Sequence, residues 1–307
     1  MRSAPLAAAR RTRHCTDDHQ CRQNRAESSG SVRTARKLIV TADDFGLSTS
    51  VNDAVERAHR DGILTAASLM VAAPGTEDAV ARARATPSLA VGLHVVLVNG
   101  RPKLPPSQVP DLVDRSGNFP TDLVAAGVRY FFHPGARRQL EAEIRAQFEA
   151  FAQTGLPLDH VNAQNHMHVH PTVLATVLRV GREFGMRAVR IPREPFLPSW
   201  RSAHRDLGLR LGNSALLAPW LALMQLQIER AGMLHNDAVL GLSDTGNMTS
   251  ERVRRLLEYL PSGVTEMYFH PDAGSDELKA LCDPDVIRTV RSGQIRSMNF
   301  AQLGHAA

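Results

Sequence analysis

The sequence predicts an α/β protein with a mostly parallel sheet. From Lys37 onwards, short apolar segments alternate with amphipathic helical patterns, which is typical of strands joined by crossover helices. Polar residues follow several of the apolar segments, and the carboxyl ends of parallel strands are where sites gather in such folds. The 307 residues suffice for one α/β barrel, which commonly takes about 250.

The first half of this pattern holds three strands and two helices. Leu38–Val40 is a buried strand that leads to Asp43 and Asp44, and Gly46 ends it. The next elements are a helix over residues 51–61 capped by Ser48, a strand over 65–71, a helix over 77–85 and a strand over 89–97. Residues 99–135 are rich in proline and glycine and are predicted to form a long irregular loop.

The second half continues the alternation. The helix predicted over residues 136–151 places its apolar residues on one face. A strand over 158–162, a helix over 172–184, a strand over 188–191 and a strand over 264–269 follow. Residues 205–240 break the pattern. Their apolar run, 216–224, is too short to span a membrane and predicts a core helix, the alternative being a lid or groove for an apolar substrate.

The formal charge is concentrated at the start of the chain. Residues 1–36 hold eight arginines and three acidic residues, and so carry the whole net charge of +5, while the rest holds 28 basic and 28 acidic residues. We predict a disordered basic tail over 1–36, and one domain over 37–307. The alternative for the tail is peripheral contact with an anionic membrane surface. A neutral body excludes nucleic acid as an expected partner, and three scattered cysteines indicate the cytoplasm.

Two adjacent aspartates and several histidines predict a metal centre. Like charges as close as those of Asp43 and Asp44 are unfavourable unless a cation or proton lies between them. His94 stands in a predicted strand, and His166, His168 and His170 follow another. Carboxylates and imidazoles are metal ligands, so this set indicates a metal-dependent hydrolase.

Five motifs together resemble those of the YdjC-like carbohydrate deacetylases, in particular the branch associated with hopanoid biosynthesis. They are Thr41-Ala-Asp43-Asp44-Phe45-Gly46, Gly92-Leu-His94, Asp159-His-Val-Asn162 before the histidine string, Arg190-Ile-Pro-Arg193-Glu194-Pro195, and His270-Pro271. The resemblance implies a distorted (β/α) barrel similar to the glycoside hydrolase/deacetylase superfamily. It also implies removal of an N-acetyl group from an amino sugar or glycolipid, such as an N-acetylglucosaminyl hopanoid.

The resemblance further implies one divalent metal, with Mg²⁺ the first expectation and Zn²⁺ the second. Its ligands would be Asp44, His94 and the first histidine of the later string. In this chain Gln164 stands at that last position. An amide oxygen can bind a metal, though less strongly than imidazole. If residues 164–168 are extended, Gln164, His166 and His168 share one face, so His166 can take over. The third alternative is loss of the metal.

Roles for the remaining residues follow from their positions. Asp43 adjoins the ligand Asp44 and is the candidate base, and His270 is the candidate acid for the leaving amine. Four further residues are expected to bind substrate: His168, Arg190, Arg193 and Asp244. The competing hypothesis is a catalytically impaired sugar-lipid binding protein. Hydrolysis of a glycosidic bond is disfavoured, because adjacent aspartates do not straddle a sugar ring. The oligomeric state is left open.

Overall fold

A parallel sheet organises the protein. The computed structural model describes residues 36–203 and 207–305, and these contain a seven-stranded sheet. Its strands are β1 (Arg36–Phe45), β2 (Ala66–Leu69), β3 (Ala90–Val95), β4 (Leu158–Ala163), β5 (Ala238–Leu240), β6 (Gly263–Phe269) and β7 (Ile295–Ser297). All pairings are parallel, in the order β4-β3-β2-β1-β6-β5.

The sheet curls into a half-barrel. β1 is its longest strand; its first residues pair with β7 and its later residues with β2, while β6 runs along its other edge. Beyond β4 the sheet continues only as single bridges, from Val161 to Val189 and from Ala188 to Leu234. Because residue 234 precedes β5 by a few positions, these bridges bring the two ends of the sheet towards each other.

Helices cover the outer face of the sheet. They are α1 (Thr49–Asp61), α2 (Thr76–Ala85), α3 (Leu123–Phe132), α4 (Pro134–Gln153), α5 (Pro171–Glu183), α6 (Phe196–Ala203), α7 (Leu207–Arg230), α8 (Ser250–Glu258), α9 (Asp276–Leu281) and α10 (Pro284–Arg291). Short 3₁₀ turns occur at Pro106–Gln108, Gln164–Val169, Leu242–Asp244 and Ala301–His305. The helices bury outward-facing strand residues such as Val40, Leu93, Val161 and Met267 in the main core.

The opposite, concave face of the sheet is polar. Because successive strand residues point to opposite faces, every second residue lines the interior. These residues are Thr41 and Asp43 of β1, Ser68 of β2, Gly92 and His94 of β3, His160 and Asn162 of β4, and Glu266 and Tyr268 of β6. A small apolar cluster that includes Ile39, Met298 and Phe300 fills the end of the interior near the amino ends of the strands. The polar side chains of the interior lie between this cluster and the carboxyl ends of the strands.

Most predicted elements are present with shifts of a few residues. Ser48 caps α1, its side chain accepting from the Val51 amide at 3.2 Å, as predicted. The long loop predicted over 99–135 is wrong in part, because α3 lies within it, capped by Asp122. The strand predicted over 188–191 forms single bridges only. Arg36 begins β1, and the rest of the predicted tail lies outside the described residues, so its disorder stays a prediction.

Helix α7 departs from the predicted core helix. Leu221, Met224 and Ile228 are buried, but Leu216 is 79% exposed, and Leu217, Trp220, Leu223 and Leu226 are also exposed. One side of the helix packs on the protein and the other presents apolar side chains to solvent. None of the helices in the described residues is both long and apolar enough to cross a membrane.

Gly92→Ala is expected to destabilise the fold. A Cβ at position 92 would lie 2.5 Å from Cε1 and 2.6 Å from Nδ1 of His160. That ring is fully buried and stacks on Phe300 with centroids 4.7 Å apart, so it has no room to withdraw. We expect the free energy of unfolding to fall by about 1–3 kcal/mol in urea denaturation. Gly212→Ala in α7 is the control, because a Cβ there meets nothing within 4 Å. A Gly92→Ala protein as stable as the native one would contradict the steric argument.

Candidate active site

The paired aspartates lie where β1 ends. Asp43 faces the interior and is almost fully buried, and Asp44 adopts a left-handed backbone conformation with φ of 62°. Aspartate is among the few non-glycine residues found there with any frequency. Consecutive strand residues would point to opposite faces, so the turn at Asp44 is what brings both carboxylates to the same region. Gly46, with φ of +96°, completes the turn against the Met70 carbonyl.

Arg190 holds Asp43 through a buried bidentate pair. Its Nη1 and Nη2 atoms donate to the two carboxylate oxygens of Asp43 at 2.5 and 3.0 Å. Nε and Nη2 donate to Glu266 at 2.9 and 2.7 Å, and the Tyr268 ring lies 4.9 Å from the guanidinium carbon. Burial opposes ionisation of Asp43, but the adjacent Arg190 outweighs it and holds the pKa of Asp43 well below its usual range.

The interior carries excess negative charge. Asp43, Asp44 and Glu266 supply three carboxylates near one guanidinium, that of Arg190, so the group has two uncompensated negative charges when it is ionised. Burial of unpaired charge costs several kcal/mol unless a counter-charge is present. A proton on a neighbouring imidazole removes half of the imbalance, and a divalent cation removes all of it.

Hydrogen bonds determine which nitrogen of His94 is free. Asn162 donates from Nδ2 to Asp43 Oδ1 at 2.9 Å, and an ionised carboxylate can only accept. The amide oxygen of Asn162 must therefore be the atom that lies 2.7 Å from Nδ1 of His94, which makes Nδ1 a donor. The neutral ring then has its lone pair on Nε2. A metal-binding histidine is typically held in this way through its other nitrogen.

The free nitrogen of His94 faces a carboxylate oxygen. Nε2 lies 3.3 Å from Asp44 Oδ1, and this buried oxygen accepts no hydrogen bond. Two facing lone pairs repel unless a proton or metal ion lies between them. Burial disfavours a charged His94, but the carboxylates of Asp44 and Asp43 outweigh burial and raise the pKa of the ring. Two ligands each about 2.1 Å from one ion lie about 3.0–3.4 Å apart at usual coordination angles, so the pair fits a cation.

The segment after β4 turns in a 3₁₀ helix, so the extended conformation that would let His166 replace Gln164 is not formed. Asn165 and His166 have positive φ values of 50° and 54°, so residues 164, 166 and 168 do not share one face. Gln164 follows β4 directly, and its amide oxygen is buried without a hydrogen-bond partner. His166 lies edge-on to Tyr268, with ring centroids 5.4 Å apart. Within residues 36–203 and 207–305, no three His, Cys, Asp or Glu side chains are grouped to hold a metal. His166, predicted as an alternative ligand, is therefore not grouped with Asp44 and His94. A third ligand would be a residue of another type, and Gln164, whose amide oxygen has no partner, is the candidate.

His270 follows β6 at the same edge of the sheet. Ala42 of β1 pairs with Phe269, so His270 comes at the level of Asp43. It is partly exposed, and when charged it contributes to the lowered pKa values of Asp43 and Asp44. Glu277 fixes its backbone by accepting from the His270 amide and also from the Gly246 amide. The imidazole therefore lies near both aspartates with one side open to solvent.

Three of the four predicted substrate-binding residues are buried in other contacts. Arg190 is fully buried and occupied by Asp43 and Glu266. His168 is fully buried and bonds the Arg190 carbonyl from Nε2 at 3.0 Å; burial, reinforced by the charge of Arg190, lowers its pKa to about 3. Asp244 is buried in an ion pair with Arg252. These three predictions are corrected to structural roles. Arg193 is partly exposed and is the one that stays a substrate-binding prediction.

Several residues of the site were missed at the sequence level. Glu266 is fully buried in β6, and it also accepts from Thr41 Oγ1 at 2.7 Å. Asn162 orients His94, and Tyr268 contacts both Arg190 and His166. A glutamate inside an otherwise apolar strand is the available signal for Glu266, since a buried carboxylate requires a partner.

Arg190→Gln is expected to destabilise the protein by about 3–5 kcal/mol at pH 7, because it leaves two buried carboxylates without a counter-charge. The loss should shrink as the pH falls from 7 towards about 4. The native stabilisation of Asp43 is present above the ordinary carboxyl pKa, whereas in the variant the unpaired carboxylate has a raised pKa and takes up a proton first. Urea unfolding at several pH values measures both effects.

The control is Arg179→Gln, which removes an ion pair with Glu141 between two exposed side chains. Exposed pairs contribute about 1 kcal/mol or less, so this variant should stay close to the native protein. An equally small loss for Arg190→Gln would show that the buried triad is not held by its charges.

Comparison with known proteins places the chain in a family. A family model described as YdjC-like protein matches residues 37–298. A carbohydrate deacetylase of Brevibacillus brevis is 40% identical over 165 residues, covering 52% of this chain and 60% of that protein. A carbohydrate deacetylase of Thermoanaerobacter pseudethanolicus is 25% identical over 284 residues, covering 87% and 98%. The chain spans less than two thirds of the length of the first of these relatives.

Comparison with solved structures supports the α/β half-barrel fold. A protein from Enterococcus faecalis V583, described as a "putative cellobiose-phosphate cleavage protein", superposes with a TM-score of 0.67 at 23% identity. The match covers 88% of this chain and 99% of that one. At this identity the similarity concerns the fold alone. On the strength of the family match across most of its length, the chain belongs to the YdjC-like protein family.

Proposed function

We propose that the protein is a metal-dependent hydrolase that removes an N-acetyl group from an amino sugar. The observation that carries the proposal is the pair of facing acceptors, His94 Nε2 and Asp44 Oδ1, 3.3 Å apart in an interior with excess negative charge. Family membership and relatives named carbohydrate deacetylases supply the reaction class. Deacetylase activity is named for those relatives, and we propose it for this protein.

Asp44, His94 and Gln164 would hold the cation. Asp44 Oδ1 and the Gln164 amide oxygen are both buried without a hydrogen-bond partner, and His94 offers Nε2. Two oxygens and one nitrogen suit Mg²⁺ better than a thiolate or an all-imidazole site would, and Zn²⁺ is the second choice. When bound, a divalent cation polarises the amide carbonyl and lowers the pKa of a water molecule.

Asp43 would act as the base for the attacking water. Arg190 and Asn162 fix its carboxylate with three hydrogen bonds, so it cannot rotate away from the site. The low pKa keeps Asp43 ionised, and therefore ready to accept a proton, at neutral pH. The same low pKa makes Asp43 a weak base, so it would hold an accepted proton only transiently before passing it on.

His270 would donate a proton to the leaving amine. Its partly exposed ring stands beside the aspartates on the strand next to β1, where it can exchange protons with solvent. Its backbone is fixed through Glu277, so the ring is presented from a rigid position. Asp43 and His270 would thus divide the base and acid roles of the reaction between two neighbouring strands.

The exposed apolar helices support a lipid-linked substrate. In α3, Val124 is 76% exposed and Phe132 is 72% exposed, and α7 adds Leu216 and Trp220. Both helices contact the end of residues 164–170, the segment that follows β4. The Trp220 indole donates to the Val169 carbonyl at 2.7 Å, and the Phe131 and His170 rings are 6.0 Å apart. An apolar surface near a sugar site is expected for an enzyme of glycolipids.

An N-acetylglucosaminyl hopanoid is the specific substrate that we propose, in the cytoplasm and at the membrane surface. It combines an amide for the polar site with a rigid apolar body for the exposed helices. The sequence resemblance to the hopanoid-associated branch motivates this choice over other glycolipids. The contact with the membrane would be peripheral.

Acetate release should occur with N-acetylglucosamine conjugates and should stop after thorough chelation, with recovery on adding Mg²⁺ or Zn²⁺. A panel of soluble and lipid-linked conjugates tests both parts of the proposal, and the lipid-linked ones should show the higher kcat/KM. Acetate release that persists without metal would contradict the metal role, whereas equal rates across the panel would contradict only the lipid part.

Asp43→Asn separates catalysis from binding in this assay. We expect kcat to fall by about 10²–10⁴-fold, since a general base is removed. The protein should still bind metal, though less tightly, because Asp44, His94 and Gln164 are unchanged while one nearby negative charge is lost. The matched variant Asp44→Asn should lose metal and activity together.

The binding-protein alternative remains because of Gln164, a neutral and weaker ligand than imidazole. Gln164→His distinguishes the two functions. If the native site is impaired, this variant should gain at least about tenfold in metal affinity and in turnover, measured by metal titration and acetate release. If the native protein is already an active enzyme that uses Gln164, the variant should show no gain in turnover.

A further inference from the structure

A line of buried hydrogen bonds crosses the interior from Asp159, near the amino end of β4, to His94. Asp159 Oδ2 lies 2.9 Å from His160 Nδ1, and His160 Nε2 lies 2.9 Å from Ser68 Oγ. Asn162 donates from Nδ2 to Ser68 Oγ at 2.9 Å, and its amide oxygen contacts His94 Nδ1 at 2.7 Å. The line involves strands β2, β3 and β4, and all five side chains are buried.

The position of each hydrogen in this line follows from the carboxylate of Asp159 at its first end. As a carboxylate, Asp159 accepts from the Ala301 amide and from His160 Nδ1, so the neutral ring has its lone pair on Nε2. Ser68 must then give its hydroxyl hydrogen to His160. Its oxygen is left as an acceptor for Asn162, whose amide is thereby directed at two acceptors at once, Ser68 and Asp43.

The His160 ring occupies a place shaped for it. Gly92 leaves room where any side chain would collide with the ring, and Phe300 stacks on its face at an interplanar angle of 25°. Aspartate, histidine and serine in this order resemble a hydrolytic triad. Ser68 is fully buried and already bonded to His160 and Asn162, however, so it has no path to a substrate.

Two acceptors compete for the single hydrogen of the neutral His94 ring. The amide oxygen of Asn162 favours hydrogen on Nδ1, and the charged oxygen of Asp44 favours hydrogen on Nε2. Hydrogen on Nε2 would block the atom that a metal needs. A carboxylate is the stronger acceptor, so Nε2 stays free only while the Asn162 oxygen is held firmly at Nδ1.

We propose that Asn162 is a positioning residue that keeps Nε2 of His94 free, and that Asp159, His160 and Ser68 hold Asn162 in the required orientation. If the Asn162 side-chain amine donated to Asp43 alone, the amide group could still tilt about that one hydrogen bond. A second acceptor on Ser68 fixes the plane of the amide. The consequence for metal binding rests on the proposed function, whereas the tautomer of His94 is a property of the metal-free protein.

Long-range ¹⁵N–¹H correlation spectra of the metal-free, histidine-labelled protein test the proposal at an alkaline pH where imidazole rings are neutral. The native protein should show His94 with hydrogen on Nδ1. Asn162→Leu should transfer it to Nε2, and Ser68→Ala should give a mixture. Asn162→Asp should keep hydrogen on Nδ1, because an acceptor remains there, even though the added carboxylate lowers stability.

Metal affinity provides a second measurement, with Mn²⁺ as the probe. Loss of a residue that orients a metal ligand typically weakens binding by about 10–100-fold. We expect a loss in this range for Asn162→Leu and a smaller one for Ser68→Ala. Thr265→Val is the matched control, since it removes a buried hydroxyl of the same sheet that makes no hydrogen bond, and it should change neither measurement.

Hydrogen that stays on Nδ1 of His94 in Asn162→Leu would overturn the proposal. If that variant does not fold, a Ser68→Ala protein with native tautomer and native Mn²⁺ affinity overturns the role of the supporting residues. A native protein that binds no Mn²⁺ and releases no acetate refutes the proposed function instead, while the spectra still decide the tautomer.

Discussion

The buried ion-pair triad of Arg190, Asp43 and Glu266 is the constraint on which the site depends. A guanidinium enclosed without partners, or two carboxylates without a counter-charge, would cost several kcal/mol. The three residues come from β1, from β6 and from the segment that bridges β4. The ion pairs among these residues therefore form only when β1, β6 and the bridging segment are correctly placed. The charges that hold the interior together also orient Asp43, the proposed base.

The triad leaves the interior negative, and that imbalance connects structure to chemistry. Asp44 adds a further carboxylate, turned inwards by its left-handed backbone conformation, and faces the free nitrogen of His94. This excess of negative charge would be balanced by the divalent cation of the proposed function. Gln164 fits this account as a neutral oxygen ligand, which adds no charge to a site that a divalent ion would just balance.

Rigid and exposed parts of the molecule are separated in space. Strand residues fix the polar interior through many mutual hydrogen bonds, and their backbone is held by parallel pairing on both sides of β1. The apolar exposed residues lie on helices α3 and α7, outside the sheet. The proposed amide-hydrolysing centre and the proposed surface for an apolar substrate portion can therefore coexist, since changes in one need not disturb the other.

Local patterns in the sequence determined the α/β class, most element positions and the set of polar groups at the strand ends, because periodicity and capping act over a few residues. Asp43, Asp44, His94 and His270 were placed at or near strand ends in this way, and their roles in catalysis stay proposals. Tertiary structure alone decided that Arg190 and Asp244 are buried in ion pairs, that residues 164–169 turn rather than extend, and that Asn162 sets the free nitrogen of His94. Each of these depends on partners distant in the sequence, such as Glu266, which lies 76 residues from Arg190. The sequence shows which polar side chains are present, but only the folded structure determines which of them pair and which atom of each pair donates the hydrogen bond.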